Sequence, residues 1–114
     1  MALQKGTNPG RRVTITAAAD LAAYRFIGYT RQYAAADAKA RGVTDDAHAS
    51  GDTASIIVSG TVIVHSGGSF SVGAAVTSDA NGKAVATNAS TDAINGYAVT
   101  AATGADQEVL IQLV

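Results

Sequence analysis

Apolar and polar positions alternate over much of this chain, most clearly from Thr53 to His65, where Ala54, Ile56, Val58, Gly60, Val62 and Val64 share one parity. A two-residue period puts every second side chain on one face of a strand. The alternation passes through Gly60 without a slip. It predicts one long strand bent at Gly60, where the missing side chain permits a bulge or corner; a hairpin at Ser59-Gly60 would scatter the apolar set over both faces. Shorter runs repeat the pattern. Val13 and Ile15 alternate with Thr14 and Thr16, and Val109, Ile111 and Leu113 alternate with Leu110, Gln112 and Val114 in a strand placed to close the sheet. Between Ala17 and Ala40 the alanines favour helix, but Tyr24, Phe26, Ile27 and Tyr29 are β-favouring and lack helical spacing, so Tyr24 to Tyr29 reads as a strand.

Turn chemistry separates these runs. Asp79-Ala80-Asn81-Gly82 is the strongest hairpin signal, because Asn81 and Gly82 tolerate positive φ, with Ala74 to Thr77 leading in and Lys83 to Thr87 leading out. Ser66-Gly67-Gly68-Ser69 reads as a second turn. A weak internal echo sets Gly42-Val43-Thr44 fourteen positions before Ile56 and Gly96-Tyr97-Ala98 fourteen before Leu110, as two β-loop-β units would. The first twelve residues, MALQKGTNPGRR, hold Gly6, Asn8, Pro9 and Gly10 in a short space and read as extended chain. The elements sum to an all-β protein: a small single-domain β-barrel or β-sandwich over residues 13–114, preceded by an extended N-terminal arm over residues 1–12 that should be dispensable for folding.

Composition qualifies that fold. Of 114 residues 25 are Ala, and Leu, Ile, Val and Phe together supply only 24, so the core should be thin and completed by association with copies of the chain or with a larger partner. Charge is uneven along the sequence. Residues 1–41 carry seven of the eight basic side chains against Asp20 and Asp37, whereas residues 42–114 carry Lys83 against seven acids. Such polarity suits a contact between copies or docking of a basic arm through Lys5, Arg11 and Arg12; the plainer reading is a surface whose charges mix once folded. The basic residues are mostly isolated, without a nucleic-acid reading module. No apolar run is long enough for a membrane span and the start of the chain does not read as a secretory leader, so a protein made and used without export is expected, with no nucleic-acid or membrane partner.

Candidate chemistry is sparse. The chain has no Cys, which excludes disulfides, zinc-thiolate sites and thiol nucleophiles. His48 lies near Asp45, Asp46 and Asp52, an oxygen and imidazole set that could bind a divalent metal, but loop spacing does not preorganise it. Asp79 begins like a calcium loop, yet the twelfth position is Ser90 rather than the bidentate Glu. No phosphate loop and no nucleophile elbow is present. The expectation is a protein that is not an enzyme, with no catalytic residues, metal or cofactor.

The order of elements is itself informative. Ala19-Asp20-Leu21-Ala22-Ala23-Tyr24-Arg25-Phe26-Ile27, the stretch from Ala40 through Gly42-Val43, Gly51 and Gly60, and above all Val76-Thr77-Ser78-Asp79-Ala80-Asn81-Gly82-Lys83-Ala84-Val85 followed by Gly96-Tyr97-Ala98, resemble the small capsid decoration or cement proteins of tailed bacteriophages. The likeness runs from about Ala18 onward. It implies a structural virion protein that binds the outside of the expanded head over junctions between major capsid protein subunits, often as a homotrimer and sometimes as a dimer, and stabilises the capsid against packaged DNA. The alternative from another class is a β-sandwich module of a phage tail or fibre that recognises a host surface glycan. Sedimentation separates the two, since only a decoration protein would travel with DNA-filled heads in many copies.

Overall fold

The computed structural model describes residues 7–114. The alternating sequence folds into ten strands, β1 (Asn8–Pro9), β2 (Arg12–Thr16), β3 (Phe26–Ile27), β4 (Gly42–Thr44), β5 (Thr53–Ile57), β6 (Gly60–Phe70), β7 (Ala75–Ser78), β8 (Ala84–Ala86), β9 (Gly96–Ala98) and β10 (Ala102–Leu113), with no helix among the described residues. One sheet runs β1-β6-β10-β9-β7-β8, and a parallel bridge from Ser66 of β6 to Ala84 of β8 closes β6, β10, β9, β7 and β8 into a five-stranded barrel. The second sheet runs β2-β5-β4-β3. The protein is all-β, as its alternation predicts.

Gly60 is a corner, but a sharper one than a bent strand. β5 ends at Ile57 in the second sheet and β6 begins at Gly60 in the barrel, so the chain changes sheets across Val58 and Ser59. The N-terminal chain turns the same corner beside it. Asn8 and Pro9 pair with Thr61 and Gly60, whereas Arg12 to Thr16 pair with Ile57 to Thr53. At the crossing, the Gly10 N–H donates to the Ser59 carbonyl at 2.9 Å and the Arg11 N–H to Ser59 Oγ at 2.8 Å. A Cβ on Gly60 would lie 2.3 Å from the Asn8 carbonyl oxygen, and its φ of 95° is one L side chains rarely adopt. The N-terminal arm expected over residues 1–12 is extended where it is described. Its described part is bonded into both sheets, because corner backbone groups that would otherwise lack partners find them there. Residues 1–6, including Lys5, lie outside the described residues.

The second expected turn is also corrected. Ser66 to Ser69 stay inside β6, where Gly67 faces Ala105 and Gly68 faces Gly104 across the ladder. Here glycine serves close approach, since a Cβ on Gly67 would stand 2.6 Å from Asp79 Oδ2 and 2.9 Å from Val85 Cγ1. The irregularity falls on the partner strand. β10 bulges between Ala105 and Glu108, and the buried Ser66 hydroxyl donates to the Gly104 carbonyl at 2.6 Å while accepting the Gln107 N–H at 3.1 Å. Those two bonds satisfy ladder groups that the bulge removes from pairing.

The core is thin as composition predicts, and it continues from sheet to sheet. Val62, Val64, Phe70, Val76, Val109 and Ile111 of the barrel pack with Phe26, Val43 and Ile57 of the second sheet, and five alanines fill the gaps; Ile15, Leu21, Ile27 and Ile56 form a smaller cluster behind them. The two echoed segments prove to be β4 and β9, each antiparallel to the strand that follows it.

The corner is testable by substitution. Gly60→Ala is expected to lower stability by about 2 kcal/mol or more, from backbone strain plus the clash with the Asn8 carbonyl. Gly51→Ala, with φ of 89° but no atom within 4 Å of the new methyl, should lose only about 1 kcal/mol. Thermal melts followed by circular dichroism would rank them. Removing residues 1–10 should also lower the melting temperature, because it deletes β1 and the Gly10 bond to Ser59.

Candidate functional site

The Asp79 to Gly82 turn joins β7 to β8 where the sequence predicts a hairpin, although Asn81 does not take positive φ. The Asp79 carboxylate accepts the Asn81 N–H at 2.8 Å and the Lys83 N–H at 2.9 Å, and Gly82 takes a φ of 75°. Its tip does more than reverse the chain. The Gly82 carbonyl accepts the Phe26 N–H at 2.7 Å, and Arg25 Nη1 donates to the Asn81 carbonyl at 3.0 Å, so the barrel's hairpin is fastened to β3 of the other sheet. The Arg25 guanidinium lies 5.4 Å from the Tyr33 ring centre, and the Tyr33 hydroxyl accepts the Ala22 N–H.

Beside this clasp the β10 bulge gathers charge. Asp106, at a φ of 63°, bonds Lys83, which holds the exposed carboxyl below its ordinary range. His65 Nε2 lies 3.9 Å from Glu108 Oε2, and its ring is 5.3 Å from that of Tyr24. Burial chiefly lowers the His65 pKa, and Arg25 adds to that, outweighing the upward pull of Glu108 and Asp106. The fold therefore favours neutral His65.

The residues expected to contact a partner do not converge. Arg11 is exposed and its side chain has no ion pair among the described residues. Arg12, the next residue and the first of β2, binds Asp45 at 2.8 Å. Charges from the two sequence halves thus meet within one molecule, as the mixing alternative anticipates. Around His48 the acids have local partners: Asp46 accepts the Ala47 N–H, Asp52 accepts that of Ala49, and Asp20 accepts that of Ser50. Among the described residues no three His, Asp or Glu side chains are grouped to hold a metal ion.

An outward apolar surface lies elsewhere on the barrel. In β9 the small Gly96 and Ala98 face inward, leaving Tyr97 42% exposed between Ala75 of β7 and Gln112 of β10. Val99 (43% exposed) follows it and donates its N–H to the Leu110 carbonyl, while Val72 (66% exposed) precedes Gly73, whose N–H reaches the Ala98 carbonyl. Among the described residues, three of the six exposed large apolar side chains therefore sit on neighbouring segments of one wall. The Gly-Tyr-Ala pattern signals this in sequence, since a bulky residue between two small ones in a strand must lie opposite the tightly packed face.

A family model for phage cement proteins matches residues 7–113, the barrel and the second sheet together. The chain belongs to the phage cement protein family. It is a structural protein associated with the phage capsid. Among solved structures, this cement protein is similar to the N base of head fibre gp8.5 of bacteriophage phi29, with a TM-score of 0.77, 24% identity, and coverage of 91% of this chain and 93% of that one. At that identity the likeness establishes a shared fold. No curated protein matches the sequence.

His65 gives the cement protein a pH signature. Its folded pKa lies below the unfolded value of 6.5, so the unfolded chain binds more protons between the two values. Stability from this group is complete above pH 6.5 and declines as pH falls through the folded pKa. Melts at pH 7.5 and pH 5 should show this decline, and His65→Gln should reduce the difference between them. An unchanged difference would assign the pH response to other groups.

Proposed function

We propose that this cement protein binds the outer surface of the expanded phage head and stabilises it by bridging subunits of the major capsid protein, with copies grouped as trimers. The observation that carries this reading is the cement-family match across residues 7–113. A closed barrel clasped to a second sheet is a stiff body, suited to spanning two subunits without losing much conformational entropy on docking. Its effect on the shell follows from linkage. A ligand that binds the expanded lattice better than the unexpanded one shifts the balance by that difference in affinity, at every occupied position.

Two surfaces support the contact. The wall of Val72, Tyr97 and Val99 offers apolar area to a neighbouring copy, supplying burial that the alanine-rich core lacks. Lys5 and Arg11 offer positive charge toward acidic capsid groups, with Arg12 either keeping Asp45 or exchanging it for a capsid carboxylate. Electrostatic contacts of this kind govern register and association rate more than final affinity.

The test mixes purified protein with expanded heads that lack it and follows sedimentation. Saturable binding at a fixed number of copies per head, weaker binding to unexpanded heads and greater heat resistance of the occupied shell are expected. Failure to sediment with expanded heads would reject the proposal. Arg11→Ala should leave the melting curve unchanged and weaken head binding, most visibly at low salt where screening is least. Equal occupancy across a salt series would remove Arg11 from the contact.

A further inference from the structure

The chain contains two Asn-Gly dipeptides, Asn81-Gly82 and Asn95-Gly96, in opposite environments. Asn-Gly is the pair most prone to amide loss, because glycine leaves the peptide nitrogen unhindered for attack on the side-chain amide carbon. Asn95 is 2% exposed and both ends of its amide are held: Oδ1 accepts the Ala40 N–H at 2.8 Å and Nδ2 donates to the Ala38 carbonyl at 3.0 Å. Its neighbour Gly96 is packed against β10, where a Cβ would lie 2.5 Å from the Gln112 carbonyl oxygen. Asn81 is exposed at the hairpin tip, and its side-chain amide makes no hydrogen bond among the described residues. The attacking group there, the Gly82 N–H, is held by a single 3.1 Å bond to the Asp79 carbonyl.

We infer that Asn81 is a site of spontaneous, self-catalysed deamidation in the folded protein, whereas Asn95 is shielded from the same reaction. The Gly82 nitrogen bonds to Asn81 Cγ and its proton leaves with the amide as ammonia, closing a succinimide. Water then opens the ring at either carbonyl, giving aspartate or isoaspartate at position 81. No oxidant, reductant or other reagent takes part. Reaching the required geometry turns the Asn81–Gly82 peptide, which releases the turn bond to Asp79 and the Arg25 bond to the Asn81 carbonyl, both at the exposed tip. At Asn95 it requires freeing both amide bonds and opening β9, which belongs to the barrel.

The product matters because of where the tip sits. The carbonyl of residue 81 is the acceptor for Arg25 Nη1, and Gly82 fits beneath the Phe26 carbonyl, where even a Cβ would approach to 2.7 Å. Isoaspartate adds a methylene to the backbone there. The barrel's clasp on the second sheet is consequently loosened one molecule at a time as the protein ages.

The experiment ages the full chain at 37 °C in mildly alkaline buffer made with oxygen-18 water and maps peptides by mass spectrometry, alongside a portion held in denaturant. Conversion in the native sample is expected at position 81, with one heavy oxygen incorporated. Position 95 should react about a thousandfold more slowly, since it waits on global opening, which at ordinary stability is populated in on the order of one molecule in a thousand or fewer. In denaturant both should convert at similar rates. Asn81→Gln should abolish the native product, because the longer side chain closes a six-membered ring far more slowly. Native conversion at position 95 as fast as at 81, acid at 81 without heavy oxygen, or a native Asn81 that stays intact while the denatured chain converts would each overturn the inference.

Discussion

Two backbone segments cross at the corner between the sheets, and their contact is so close that position 60 has no room for a side chain. Everything else is arranged around that constraint. Because β1 and β2 follow β6 and β5 around the bend in antiparallel register, the sheets share a continuous ladder at one side. The hairpin tip at Gly82 and Arg25 fastens them at another. Two attachments far apart in sequence fix the angle between the layers, and the apolar core can then remain small, since it need not also prevent them from sliding. The five alanines among its main cluster are compatible with that division of labour.

The strands were largely legible because alternation is a local property. Ala54, Ile56, Val62 and Val64 keep their parity and all are buried, even though the chain changes sheets between them. The change of sheets was not legible, since Gly60 reads the same whether it bends one strand or joins two. Gly67 and Gly68 misled for a related reason. Glycine in sequence announces a missing side chain, and whether the vacancy serves a turn or a close neighbour depends, at Gly67, on Asp79 of the later turn and Val85 of β8. The pairing of the extended arm was not legible either: Asn8, Pro9 and Gly10 are poor strand formers, and the pairing of Asn8 and Pro9 follows from the partner edge β6 offers.

The candidate surface was less legible than the fold. Charge drew attention to Lys5, Arg11 and Arg12, yet Arg12 is already paired with Asp45, a contact invisible until the strands are in place. The wall around Tyr97 involves residues from three segments whose nearness is created by the β7–β9 and β9–β10 pairings. A structural protein that acts by contact has no reacting group whose chemistry would mark its position in sequence.

The placement of β6 between β1 and β10 also bears on how the molecule is assembled. This strand joins Thr61 to Asn8 on one side and to Gln112 on the other, partners about fifty residues away in each direction. Loops of that length must be closed before the ladders reward them, so folding should be slow beside that of a helical protein of equal size. Until both partners arrive, β6 presents Val62 and Val64 on unpaired edges. For such a chain the hazardous interval is this search, during which a strand of another copy can compete with its own.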